Sequence, residues 1–107
     1  MTKPLSKVEL LRAAWITALR TQGHRQVQGY WNYRNKVCAL GLLSEVAGNT
    51  CHGPQDVCDM AKLVDLHPLQ INRVIQMNDG VWFRYKSAKS FRQIAYQLER
   101  WFKKRPL

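Results

Sequence analysis

The sequence predicts a mostly helical α+β fold, a single domain of four or five short helices around a small two-stranded aromatic sheet. Three observations carry this expectation. Apolar residues recur at helical spacing near both ends, in Val8, Leu11, Trp15, Ala18 and Leu19, and again in Phe91, Ile94, Ala95, Leu98, Trp101 and Phe102. The run from Val37 to Val46 is apolar almost all round, as a short buried helix is. Val81 to Lys86 alternates instead, with Val81, Phe83 and Tyr85 on one side and Trp82, Arg84 and Lys86 on the other. At 107 residues the chain has ordinary single-domain size, so residues 1–107 read as one basic domain with one core.

Each element has its own signal. Ser6-Lys7-Val8-Glu9 is a capping-box pattern that opens the first helix, and Gly23 closes it. Tyr30-Trp31-Asn32-Tyr33 reads as a short strand, with Val81–Lys86 as its natural pairing partner. The apolar helix starts near Cys38 or Ala39 and stops at Gly48-Asn49. Pro54 suits a first helical turn, which predicts a helix from about Gln55 to Asp65. His67-Pro68 breaks that helix, Leu69 to Met77 forms the next, and Asn78-Asp79-Gly80 reads as a stop and turn. Ser90, with Gln93 three residues on, caps the last helix, whose final turns carry Arg100, Lys103, Lys104 and Arg105 where cations suit the helix dipole.

Charge is the strongest compositional signal. The net +10 divides into +6 over residues 1–36, −3 over 37–80 and +7 over 81–107. Two basic flanks around a mildly acidic middle predict one positive face, with Lys7, Arg12 or Arg20 on the same side as Arg92, Arg100 or Lys103. Such a face attracts phosphates or an acidic protein surface. No apolar run reaches a membrane span, and Met1-Thr2-Lys3-Pro4 leads straight into an amphipathic segment, so no membrane partner and no signal peptide are expected. Three cysteines, Cys38, Cys51 and Cys58, form no even framework, which points to free thiols in a reducing compartment.

Several groupings bear on chemistry. Trp31, Tyr33 and Arg34 beside Trp82, Arg84 and Lys86 interleave aromatic and basic side chains, a pattern suited to stacking single-stranded bases. The candidate partner-binding residues are therefore Arg34, Lys36, Trp82, Arg84, Lys86, Lys89 and Arg92. Cys38 near a helix start, with His24 as base and Asp79 or Asn78 as orienter, would make a cysteine-dependent enzyme. Its apolar neighbours favour a buried, chemically quiet thiol instead. Cys51, His52 and Cys58 do not follow a zinc-site spacing, so no metal and no cofactor are expected. Residues 60–80 fit a helix-turn-helix, with Ala61, Val64, Leu66, Ile71 and Val74 inward and Gln70, Asn72, Arg73 and Gln76 outward, although Asp65 stands where glycine is usual. Asn78-Asp79-Gly80 is explained by turn architecture alone.

Finally, Trp15-Ile16-Thr17-Ala18-Leu19-Arg20-Thr21, Gly23, Gln26, Gly29 and Arg34 run into Val37-Cys38-Ala39-Leu40-Gly41-Leu42-Leu43. Near the other end stand Met77-Asn78-Asp79-Gly80 and Ser90-Phe91-Arg92-Gln93-Ile94-Ala95-Tyr96-Gln97-Leu98-Glu99. Together these resemble a family of small phage and prophage proteins, with short actinobacterial relatives. Its pattern is roughly W-x-x-A-L-R-S-G, Q-G, C-C-L-G-V-L, N-D-x-G and S-F-x-x-I-A. Two departures stand out: Ala39 replaces the second cysteine, and Val81 to Lys89 lie between the N-D turn and the last helix. The resemblance implies a phage source and brings no reaction with it. The resulting expectation is a non-enzymatic phage-type accessory protein, of the host-interaction or anti-defence kind. It would bind host nucleic acid, or a nucleic-acid-associated protein complex, through its basic face in the cytoplasm of a bacterial host cell. The alternatives are the Cys38 enzyme and a helix-turn-helix DNA-binding regulator.

Overall fold

Helix α1, Lys7–Thr21, begins where the chain can satisfy its own free amides. The Glu9 amide donates to Ser6 Oγ at 3.1 Å, and the Ser6 amide donates back to the Glu9 carboxylate at 3.2 Å. The computed structural model describes residues 5–28, 32–48, 56–80 and 88–104. After α1 come a single 3₁₀ turn at Gly23–Arg25 and a hairpin of β1, Asn32–Tyr33, with β2, Lys36–Val37. Helices α2, Ala39–Val46, α3, Val57–Val64, α4, Pro68–Asp79, and α5, Phe91–Lys104, complete the described chain.

The expected helices are present, and the expected sheet is not supported. Asn32 and Tyr33 pair antiparallel with Val37 and Lys36, across a turn in which Arg34 takes a left-handed conformation at φ 57°. Two residues on each side make a local turn, not a sheet joining distant segments. Val81–Lys86, the partner expected for Tyr30–Tyr33, lies outside the described residues, as do Tyr30 and Trp31. The molecule is therefore mostly helical, with five α-helices among the described residues, and the α+β description gives way to a helical one.

Two boundaries also move. Helix α3 ends before His67-Pro68 as expected, but Pro68 itself opens α4, because a first-turn proline loses no hydrogen bond there. His67 caps it, accepting from the Leu69 amide through Nδ1 at 3.1 Å, while the His67 amide donates to the Gln70 side chain at 3.0 Å. At the other end α4 runs on through Asn78 and Asp79 and stops at Gly80, left-handed at φ 72°. Asn78 and Asp79 are thus part of the last helical turn.

One core holds the helices. Helix α1 packs against α5, α2 and α3, and α4 packs against α3, α2 and α5. Trp15, Leu19, Leu40, Leu43, Met60, Ile71, Phe91, Ile94 and Leu98 are fully enclosed. Helix α2 is buried on nearly every side, from Ala39 to Ser44, as its unbroken apolar run predicts. Arg12 joins this interior. Its Nε donates to the Val64 carbonyl at 2.8 Å and Nη2 to the Asp65 carbonyl at 3.2 Å, while the guanidinium lies 4.2 Å from the Phe102 ring centre. A cation expected on the binding face instead closes the C-terminus of α3.

Candidate nucleic-acid interface

Helix α5 is sharply two-sided. Phe91, Ile94, Ala95 and Leu98 are buried, and Arg92, Tyr96, Arg100 and Lys103 are exposed on the opposite side. At 3.6 residues per turn these four fall within about 80° of one another, so they form a single stripe. Tyr96 is 64% exposed, an unusual fraction for a large ring, and the Arg100 guanidinium lies 6.0 Å from its centre. Glu99, the only acid in α5, pairs with Arg20 of α1. That contact offsets the one negative charge beside the stripe and brings a cation of the first basic block to the face of the last.

Two concavities border the stripe. One, of about 380 Å³, is lined by Met77, Lys89, Arg92, Gln93, Tyr96 and Gln97. The other, of about 320 Å³, is lined by Arg20, Arg92 and Tyr96. Arg20 and Arg92 therefore meet across α1 and α5, as the block pattern of charge predicts, whereas Arg12 does not take part.

The start of α5 is held in place by a polar hub. Asn78 is 1% exposed, yet all four hydrogen-bonding positions of its amide are filled. Oδ1 accepts from the Ala39 amide and from Gln26 Nε2, both at 3.1 Å. Nδ2 donates to the Val27 carbonyl and to Asp79 Oδ1, both at 2.9 Å. Gln26 extends the hub, donating to the Lys89 carbonyl at 2.7 Å and accepting from the Phe91 amide at 3.1 Å. The Val27 amide reaches the Val37 carbonyl at 3.1 Å, and the Lys89 amide reaches the Met77 carbonyl at 2.6 Å. The hairpin, α2, α4 and α5 are thus all bonded to the Gln26–Val27 segment or to Asn78. Gln26, Asn78, Asp79 and Phe91, which lie far apart in the sequence motifs, come together here.

Cys38 sits at the edge of this hub as the N-cap of α2, with Sγ accepting from the Gly41 amide at 3.3 Å. It is half-buried, not enclosed within the helix as expected. Burial pushes its thiol up, the Gly41 and Leu40 amides pull it down, and the nearby Asp79 carboxylate raises it further. His24 is exposed on the 3₁₀ turn and forms no hydrogen bond with Cys38, so the expected base is not assembled with the thiol.

Of the sequence-predicted binding residues, the structure brings Lys89 and Arg92 together on one cleft. Arg34 and Lys36 are exposed on the hairpin, with the Arg34 guanidinium 5.5 Å from the Tyr33 ring centre. Trp82, Arg84 and Lys86 lie outside the described residues, as do Cys51 and His52. Among the described residues no three His, Cys, Asp or Glu side chains converge on a common point, and no helix is long and apolar enough to cross a membrane. Tyr96 and Arg100 complete the surface; Arg100 is among the cations expected on the positive face, and Tyr96 is not among the residues expected to bind. The signal for them is the spacing of Arg92, Tyr96 and Arg100, four residues apart on the face opposite the apolar stripe. No family model, curated protein or solved structure matches the chain.

Proposed function

We propose that this chain is a non-enzymatic, phage-type accessory protein that binds nucleic acid through the outer face of α5. The observation that carries the reading is the exposed stripe of Arg92, Tyr96, Arg100 and Lys103, whose only neighbouring acid on α5 is engaged by Arg20. Phosphates are drawn to such a stripe by charge and by counterion release. The phage-type assignment rests on the motif resemblance. A Cys38 thiol whose pKa burial pushes up, with His24 exposed on the 3₁₀ turn and not bonded to it, supports the non-enzymatic part. The test is binding of a labelled oligonucleotide across a salt series. Replacing Arg92 and Lys103 together with Ala reduces the slope of log affinity against log salt by up to about two units, with the fold retained. Salt-independent binding unaffected by the double replacement overturns the reading, and nuclease-resistant capture of an acidic protein replaces it with a protein partner.

A second reading draws on α3 and α4. Their three-residue turn contains Asp65, left-handed at φ 53°, and Met60, Ala61, Val64, Leu66, Ile71 and Val74 are all buried as in a helix-turn-helix. Asn72 and Arg73 face solvent, and Leu69 is 64% exposed. Against groove reading stand Asp59 and Asp65, both exposed, which repel a phosphate backbone. On α5 the one acid, Glu99, is engaged by Arg20, and the α5 stripe is the surface favoured here.

A further inference from the structure

We infer that the α5 face takes single-stranded nucleic acid, with an unpaired base laid against Tyr96 and the adjoining phosphates held by Arg92 and Lys89. This rests on the nucleic-acid reading above and specifies the form of the polymer.

Charge alone does not explain the surface. A stripe that serves only a phosphate backbone needs cations, and an exposed phenol ring in its midst adds none. Tyr96 is nonetheless 64% exposed, standing between Arg92 and Arg100 along the helix. Tyr96 and Arg92 line both concavities, so the ring and this guanidinium form the ridge between two hollows. The larger, about 380 Å³, lies within the range of small-molecule sites. Its composition matches a nucleotide part by part. Tyr96 supplies a π-face and Met77 apolar surface, which suit the base. Gln93 and Gln97 each carry a donor and an acceptor for a base edge. Lys89 and Arg92 supply the positive charge for phosphate.

The smaller hollow is bordered by Arg20, whose charge Glu99 already engages, so Arg92 is the cation that both hollows share. A duplex cannot use this arrangement, because its bases stay stacked and present only their edges in the grooves. A single strand can, since an unstacked base offers its face to an aromatic side chain.

The experiment compares a fluorescently labelled single-stranded oligonucleotide of roughly 12 nucleotides with the duplex of the same sequence, by anisotropy at several salt concentrations. The single strand binds more tightly. Tyr96→Ala weakens it by roughly 5- to 150-fold while the salt slope stays unchanged, because stacking is lost and no charge is removed. Tyr96→Phe keeps the ring and retains most of the affinity, and duplex binding is indifferent to both variants. Because Tyr96 is exposed, both variants fold, which far-UV circular dichroism verifies. Equal or tighter duplex binding, or single-strand affinity untouched by Tyr96→Ala, overturns the inference. In either case the broader reading survives if replacing Arg92 and Lys103 still lowers the salt slope. Failure of both forms to bind at low salt overturns the two together.

Discussion

At the scale of single residues, Asn78 does the most for the architecture. Its four hydrogen bonds connect the Ala39 amide, Gln26, the Val27 carbonyl and Asp79 around one enclosed side chain. Asn78→Ala strands the buried Ala39 amide and unpairs the part-buried Val27 carbonyl, and an unsatisfied buried group costs about 1–3 kcal/mol. Chemical denaturation is therefore expected to show a loss of about 2–4 kcal/mol for this variant. Cys38 yields a prediction about pH. Its thiol is raised in the folded protein, so the native state holds the proton at a pH where the unfolded chain has released it. This contribution is fully present below the unfolded thiol pKa of about 8.5 and disappears as pH rises through the folded value. Thermal melts between neutral and alkaline pH should show a smaller alkaline decline for Cys38→Ala than for the parent, measured as the change across that interval. In the same range a thiol reagent labels exposed Cys58 before half-buried Cys38.

Helix ends dominate at the scale of elements, and they show where local rules suffice. The Ser6–Glu9 box and the Ser90–Gln93 box both form as their spacing requires, the latter with the Gln93 amide 3.2 Å from Ser90 Oγ. The α4 terminus obeys a different control. Asn78-Asp79-Gly80 has the composition of a turn, yet the helix persists to Asp79, because the Asn78 side chain bonds to distant groups instead of to its own backbone. Gly80 then takes the left-handed cap, with its amide 2.8 Å from the Gln76 carbonyl. Gly80→Ala is expected to cost about 1–2 kcal/mol in urea unfolding, since a Cβ opposes that conformation. Asp65 accepts a similar strain at the end of α3, where the Arg12 guanidinium bonds its carbonyl.

Across the whole molecule, the arrangement of charge follows from how the helices pack. Helices α1 and α5 lie side by side, and this contact, with Arg20 on Glu99, joins two basic blocks that the acidic middle of the chain separates. The expected salt dependence of binding is accordingly a property of the assembled face, and unfolding disperses it. The helices, the Ser6–Glu9 and Ser90–Gln93 caps and the apolar stripes of α1 and α5 were legible in the chain because each depends on neighbours within one or two turns. A mostly helical, strongly basic domain, with Lys89 and Arg92 flanking the start of its last helix, follows from residue order alone. Packing settles what local pattern leaves open: that Arg12 turns inward, that Asn78 becomes a hub and that Asn32–Tyr33 pairs with its own neighbour. For Arg12 and Asn78 the cause is that a polar group can be buried only with the partners packing brings to it, and most of those partners lie tens of residues away.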